Sequence, residues 1–231
     1  MRLEPCFKGQ HFLWFDEYPA VRQQLLKGVV IAQPVEGNGI VPLKGGLVQD
    51  WRGAVFIPHA TLRVVLSIVQ DFDRHHVYFK PDIENAKIES RQGDEFLVFM
   101  RIVKAKFMLS DVLNTEQAIQ FIRLDPHRVY SRAHSTRINE VAAPGRSGEH
   151  ELPIGQDRGL LWRLFGYWLY EERDDGVYIT CESITLTRDI PFGMGTLLGP
   201  VIHDLPGDAL RKSFEQTRRA VLAQNSSFRP N

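Results

Sequence analysis

The chain has 231 residues, 43% hydrophobic and 24% charged, with 28 basic and 28 acidic side chains and a formal net charge of zero. Such a composition belongs to a globular protein of one large or two small domains, able to bury about 70% of its unfolded surface. The charge balance argues against a general nucleic-acid binder, which needs a basic excess, and against a polybasic membrane-surface protein.

Residues 1–28 hold a short helix, opened near Asp16-Glu-Tyr-Pro19, striped by Val21, Leu25 and Leu26, and closed by Gly28. Val29–Val35 reads as a short strand stopped by Pro34, and Glu36-Gly-Asn-Gly39 as a turn. Leu43–Ile57 alternates as a strand. His59–Asp71 is a helix, because Leu62, Val65, Leu66 and Val69 fall at i, i+3, i+4 and i+7.

Strands are then expected over Val77–Arg91 (bent at Pro81), Asp94–Lys106, Phe107–Leu124 and Arg128–Val141. Asp94–Lys106 is apolar on both sides and belongs in the middle of a sheet. Residues 142–158 read as a loop. Two more strands, Gly159–Glu171 and Val177–Asp189, flank the turn Arg173-Asp-Asp-Gly176. A Gly/Pro-rich bend follows, then a helix over Pro206–Leu222 striped by Leu210, Phe214, Thr217 and Val221. Consecutive strands with short turns imply an antiparallel meander, and the striped helix is suited to cover its concave face.

With these elements the chain resembles the START-like, helix-grip proteins (SRPBCC superfamily). The likeness rests on Val48-Gln-Asp-Trp-Arg-Gly-Ala-Val-Phe-Ile-Pro58 leading into the first helix, on the strands of 77–141, and on Gly159–Leu222. In particular, Leu186-Thr-Arg-Asp-Ile-Pro191, Leu205-Pro-Gly-Asp-Ala-Leu210 and Thr217-Arg-Arg219 look like the last strand and helix of a bacterial START-like group. The resemblance implies an α+β fold, a curved antiparallel sheet wrapped around a long C-terminal helix with a cavity between them. It covers residues 43–224, so residues 1–42 are expected as an N-terminal extension and 43–231 as the helix-grip domain. The superfamily includes lipid and sterol carriers, polyketide aromatase/cyclases and quinone-binding proteins, which implies a hydrophobic small-molecule partner and little more.

Motifs of chemistry are sparse. Gly193-Met-Gly-Thr-Leu-Leu-Gly199 superficially resembles a dinucleotide loop but lacks a parallel βαβ unit, and reads as a connector near the cavity mouth. Asp71, Asp73, His75 and His76 could ligate a metal, yet no third ligand has matching spacing, so a solvated helix end is the simpler reading. Ser147 in Gly-Arg-Ser-Gly is not a nucleophile elbow. No cofactor is expected. Cys6 and Cys181 imply neither a disulfide scaffold nor a metal site, and Cys181 reads as a small buried hydrophobe.

The most informative residues are polar and aromatic side chains inside the last strands. Arg163, Tyr167 and Glu182 could form a paired polar group in an apolar pocket if they face inward, or an exposed ladder if they face outward. The register decides between the two. Trp162, Trp168, Arg137, Arg188 and Phe214 complete the set of candidate cavity residues. The leading expectation is a non-enzymatic binder of a lipid, isoprenoid or polyketide-like molecule. The alternative is a cyclase/aromatase using Arg163, Tyr167 and Glu182 for proton transfer and enolate stabilisation. A third reading makes residues 1–42 a docking element for a protein partner. No run reaches the roughly 18 apolar residues of a membrane span. Met1-Arg-Leu-Glu-Pro-Cys-Phe-Lys8 has no signal-peptide core, so the chain reads as cytoplasmic. An exported chain whose signal had been removed would read the same.

Overall fold

In the computed structural model, which describes residues 12–106, 109–153, 155–157, 161–188 and 195–227, the runs rich in β-branched and aromatic residues form ten antiparallel strands. They are β1 (Ile31–Pro34), β2 (Ile40–Leu43), β3 (Gly46–Pro58), β4 (Ile83–Gln92), β5 (Glu95–Lys106), β6 (Leu109–Arg123), β7 (Arg128–Ala142), β8 (His150–Glu151), β9 (Arg163–Arg173) and β10 (Gly176–Arg188). The sheet order is β1-β3-β10-β9-β7-β6-β5-β4, with β2 also on β3 and β8 also on β7. Four α-helices accompany them: α1 (Pro19–Leu26), α2 (Leu62–Val69), α3 (His75–Tyr78) and α4 (Gly195–Ser227).

The β9–β10 turn follows from its residues. Asp174 and Asp175 sit at φ 57° and 58°, the left-handed geometry of a two-residue turn whose twist matches the flanking strands. That turn sets the register Trp168↔Cys181 and Tyr167↔Glu182. Side chains alternate along a strand, so Trp168, Tyr170, Ile179 and Cys181 share one face. Phe214 of α4 packs edge-on against Trp168, ring centroids 5.7 Å apart, which fixes this face as the concave one.

Two glycines seat α4. A Cβ on Gly53 of β3 would lie 2.5 Å from the Ile31 carbonyl oxygen and 2.7 Å from the Phe214 ring. A Cβ on Gly207 of α4 would lie 2.3 Å from the Trp51 ring. Leu210, Phe214, Thr217 and Val221 are all buried, as their helical spacing demands. α2 packs beside α4; its N-terminus is capped by Thr61, and the Glu172 carboxylate accepts the Leu62 N–H at 2.6 Å.

The opposite, convex face is also covered. Residues 12–28 lay Leu13, Phe15 and Leu25 over Ala54, Phe56 and Tyr178. Arg173 pairs with Asp16, and Arg22 reaches Asp174 at 2.5 Å. β1 and β2 pair directly onto β3, so residues 31–43 belong to the same sheet as the strands that follow.

Three expectations about elements need correction. The strand expected from Val77 begins only at Ile83, because His75–Tyr78 forms α3 and packs His75 inward. Helix α4 runs over 195–227 rather than 206–222, so Pro206 is an interior residue that withholds one backbone hydrogen bond, not a first-turn residue. The loop at 142–158 contributes β8, two residues paired with the end of β7. Cys6, Gly159, Gly193 and Met194 lie outside the described residues.

Candidate functional site

A partly open cavity of about 240 Å³ lies between α4 and the concave face. Its apolar wall includes Phe72, Phe79, Met100, Phe121, Ala133, Trp168 and Ile179. Each comes from an element already placed: α3 and the turn before it supply the aromatic end, β5, β6, β7, β9 and β10 the floor, and α4 the roof. The polar groups in the lining are Gln117, Ser131, Tyr170, His75, Ser213 and Thr217. No Asp, Glu, Lys or Arg is among the lining residues described.

Burial sets the state of these groups. His75 is held down to a pKa of about 4 because its ring is desolvated, so it is neutral at pH 7. Its Nε2 donates to the Val69 carbonyl at 3.2 Å, which leaves Nδ1 as the unprotonated nitrogen. Phe72 and Phe79 flank the ring at 4.8 and 4.7 Å. Burial pushes the Tyr170 hydroxyl up, and a hydrogen bond from Ser131 pulls the other way. The Gln117 amide donates one long bond, 3.4 Å, to Thr115, whose hydroxyl donates to the Met100 carbonyl.

The candidate residues read from sequence separate into groups. Trp168 lines the cavity, and Phe214 backs it. Arg163, Tyr167 and Glu182 do share one face, but it is the convex face, since Trp168 and Cys181 take the inward positions beside them. There Tyr167 clusters with Tyr130 and Ile184, and burial together with the Glu182 carboxylate raises its hydroxyl pKa. Trp162 lies at the end of the sheet, donating to Asp157 at 3.3 Å with the exposed Arg188 over its ring. Arg137 joins an outer network, reaching Glu151 at 2.8 Å.

A larger recess of about 580 Å³ opens on the convex face beside Gln120, Arg132, His134, Phe165 and Tyr167. It is the more open of the two and lined mainly by outward strand positions, so the smaller, more apolar cavity beneath α4 is the better ligand site. The Asp71 cluster is structural: Asp71 accepts from the Tyr78 hydroxyl at 2.7 Å, and Asp73 from the Ile88 N–H at 2.7 Å. Among the described residues no group of three His, Cys, Asp or Glu converges as a metal site. No helix among them is long and apolar enough to cross a membrane.

Sequence reasoning passed over Gln117 and Ser131, which look like ordinary outward polar positions in strands. The available signal was Cys181. Once that residue is read as buried, its neighbour across the hairpin, Trp168, must also point in, and with it Tyr170.

No family model matches the sequence, and no curated protein sequence does. Solved structures do match. A Thermus thermophilus protein, TTHA0849, is 17% identical, with 75% of this chain and 97% of that one aligned at a TM-score of 0.53. A STAR-related lipid transfer protein fragment from Xanthomonas axonopodis is 16% identical over 77% of this chain and 99% of that one, TM-score 0.48. The Zhui aromatase/cyclase of a Streptomyces strain is 13% identical over 77% and 93%, TM-score 0.47. The sheet order, the C-terminal helix gripped by the concave face and the likeness to TTHA0849 agree on the fold: a curved antiparallel sheet wrapped around a long C-terminal helix, the helix-grip arrangement.

Proposed function

We propose that the protein binds a hydrophobic or amphipathic small molecule in the cavity between α4 and the sheet. The observation that carries this reading is the 240 Å³ space beneath α4, walled by Phe72, Phe121, Trp168 and Ile179. Interiors normally close-pack, so a void of this size roofed by a helix marks a site held open. Its lining offers few polar groups, the pattern that orients one end of an apolar ligand. A cyclase reading draws no support from the same space, because Arg163, Tyr167 and Glu182 stand on the other side of the sheet. Among the described lining residues there is no carboxylate that could act as a general base.

Titration with N-phenyl-1-naphthylamine, an uncharged apolar fluorophore, tests the proposal. The full chain should take up the probe with a blue-shifted emission. Ala133→Phe, which places a ring in the cavity, should abolish uptake while circular dichroism stays unchanged. Uptake that Ala133→Phe leaves intact would place the site elsewhere, and no uptake at all would refute the proposal.

A further inference from the structure

The chemistry of the cavity lining defines which ligands it can hold. Its polar groups sit on neighbouring strands of the floor: Gln117 on β6, Ser131 on β7 and Tyr170 on β9. All three are neutral and buried, Gln117 at 7%, Ser131 at 2% and Tyr170 at 3% exposure. Ser131 and Tyr170 bond one another. On the roof, Thr217 donates to the Ser213 carbonyl at 2.8 Å. At the aromatic end the His75 ring donates its N–H to the Val69 carbonyl and is uncharged.

Gln117 is different. An amide can make four hydrogen bonds, two as donor and two as acceptor. This one makes a single long side-chain contact, 3.4 Å to Thr115, although the residue is buried. It therefore offers both a donor and an acceptor to whatever fills the space. A carboxylate or phosphate there would meet no Lys or Arg among the described lining residues, and transferring an unpaired charge from water into such a site is strongly disfavoured.

Resting on the cavity-binding reading, we propose that the ligand is a compact, uncharged amphiphile: an apolar body with one hydroxyl, carbonyl or amide end held by Gln117. The size agrees, since 240 Å³ lies below the roughly 300–1,000 Å³ of pockets that enclose drug-sized ligands. Fatty-acid anions and lipids with phosphate heads fall outside this class on charge.

Competition against N-phenyl-1-naphthylamine on the full chain at pH 7.5 tests it with three matched pairs: geraniol and geranate, 2-naphthalenemethanol and 2-naphthoate, decanol and decanoate. At least one alcohol should displace the probe about 100-fold more effectively than its carboxylate. Gln117→Leu should weaken that alcohol about tenfold, the scale of one hydrogen bond, once competition is corrected for the variant's own directly titrated probe affinity. Gln117→Met is the second variant should the leucine fail to fold. The wild-type comparison needs neither. Carboxylates that compete as well as their alcohols would overturn the inference, and so would failure of every alcohol to displace a bound probe. An alcohol affinity unmoved by the Gln117 variants would remove Gln117 as the anchor. These results leave the cavity-binding reading standing; a probe that never binds removes that reading and the inference together.

Discussion

His75 records how dry the interior is. Its ordinary pKa is 6.5, and burial lowers it to about 4 in the folded protein. As pH falls below 6.5 the unfolded chain takes up a proton that the folded chain refuses until about pH 4. Stability from this group is therefore complete above about pH 6.5, declines through the window from 6.5 to 4, and levels off below. The decline amounts to something on the order of 3 kcal/mol. Urea unfolding across that window should show about one proton fewer taken up on unfolding in His75→Phe than in the wild type. Equal pH slopes would show that His75 is protonated in the folded state. A second residue-level outcome concerns Gly53. Its missing Cβ is required by a backbone carbonyl 2.5 Å away, which cannot swing aside as a side-chain tip would. Gly53→Ala should cost about 1–3 kcal/mol by chemical denaturation. At this scale the sequence was only partly legible. Aromatic density pointed to Trp168, but Gln117 and Ser131 give no sign in a strand until their neighbours are known to be buried. His75 was hidden in an acidic turn whose Asp71 and Asp73 hold the backbone and Tyr78 instead of a metal.

Most elements were legible because their periodicity and turn residues agree. The hairpin at Arg173–Gly176 and the stripe Leu210, Phe214, Thr217 and Val221 are examples. The face of β9 and β10 was not, and the reason is physical. Both faces of this hairpin are apolar, Trp168 and Tyr170 against α4, Phe165, Tyr167 and Leu169 on the other side, so the alternation that usually marks the inner face is lost. The length of α4 was hidden by Gly199 and Pro200, which read as part of a bend, and by Pro206, which read as a helix start; all three lie within the helix. Phe214 joins α4 to the sheet through Trp168 and Gly53. Phe214→Ala should lower stability by about 3–5 kcal/mol and enlarge the cavity. Unfolding experiments check the first effect, and increased affinity for longer apolar ligands the second.

For the molecule as a whole, one sheet has two covers. α4 and α2 close the concave face around the cavity, while residues 12–28 close the convex face with a dry cluster. The second cover is held by packing more than by charge. The Arg22–Asp174 pair is 43% and 30% exposed, so Arg22→Ala should cost less than about 1 kcal/mol. Phe15 is fully buried against Tyr178, and Phe15→Ala should cost about 3–5 kcal/mol. Denaturation midpoints that reversed this order would mean the segment is pinned electrostatically. The central claim, that the space under α4 is a ligand site, is tested most directly by native mass spectrometry of the full chain purified without denaturation from the cells that make it. The account predicts a stoichiometric adduct, a compact uncharged compound released on unfolding and absent from Ala133→Phe. A wild-type chain that carries no adduct and takes up no apolar compound would contradict it.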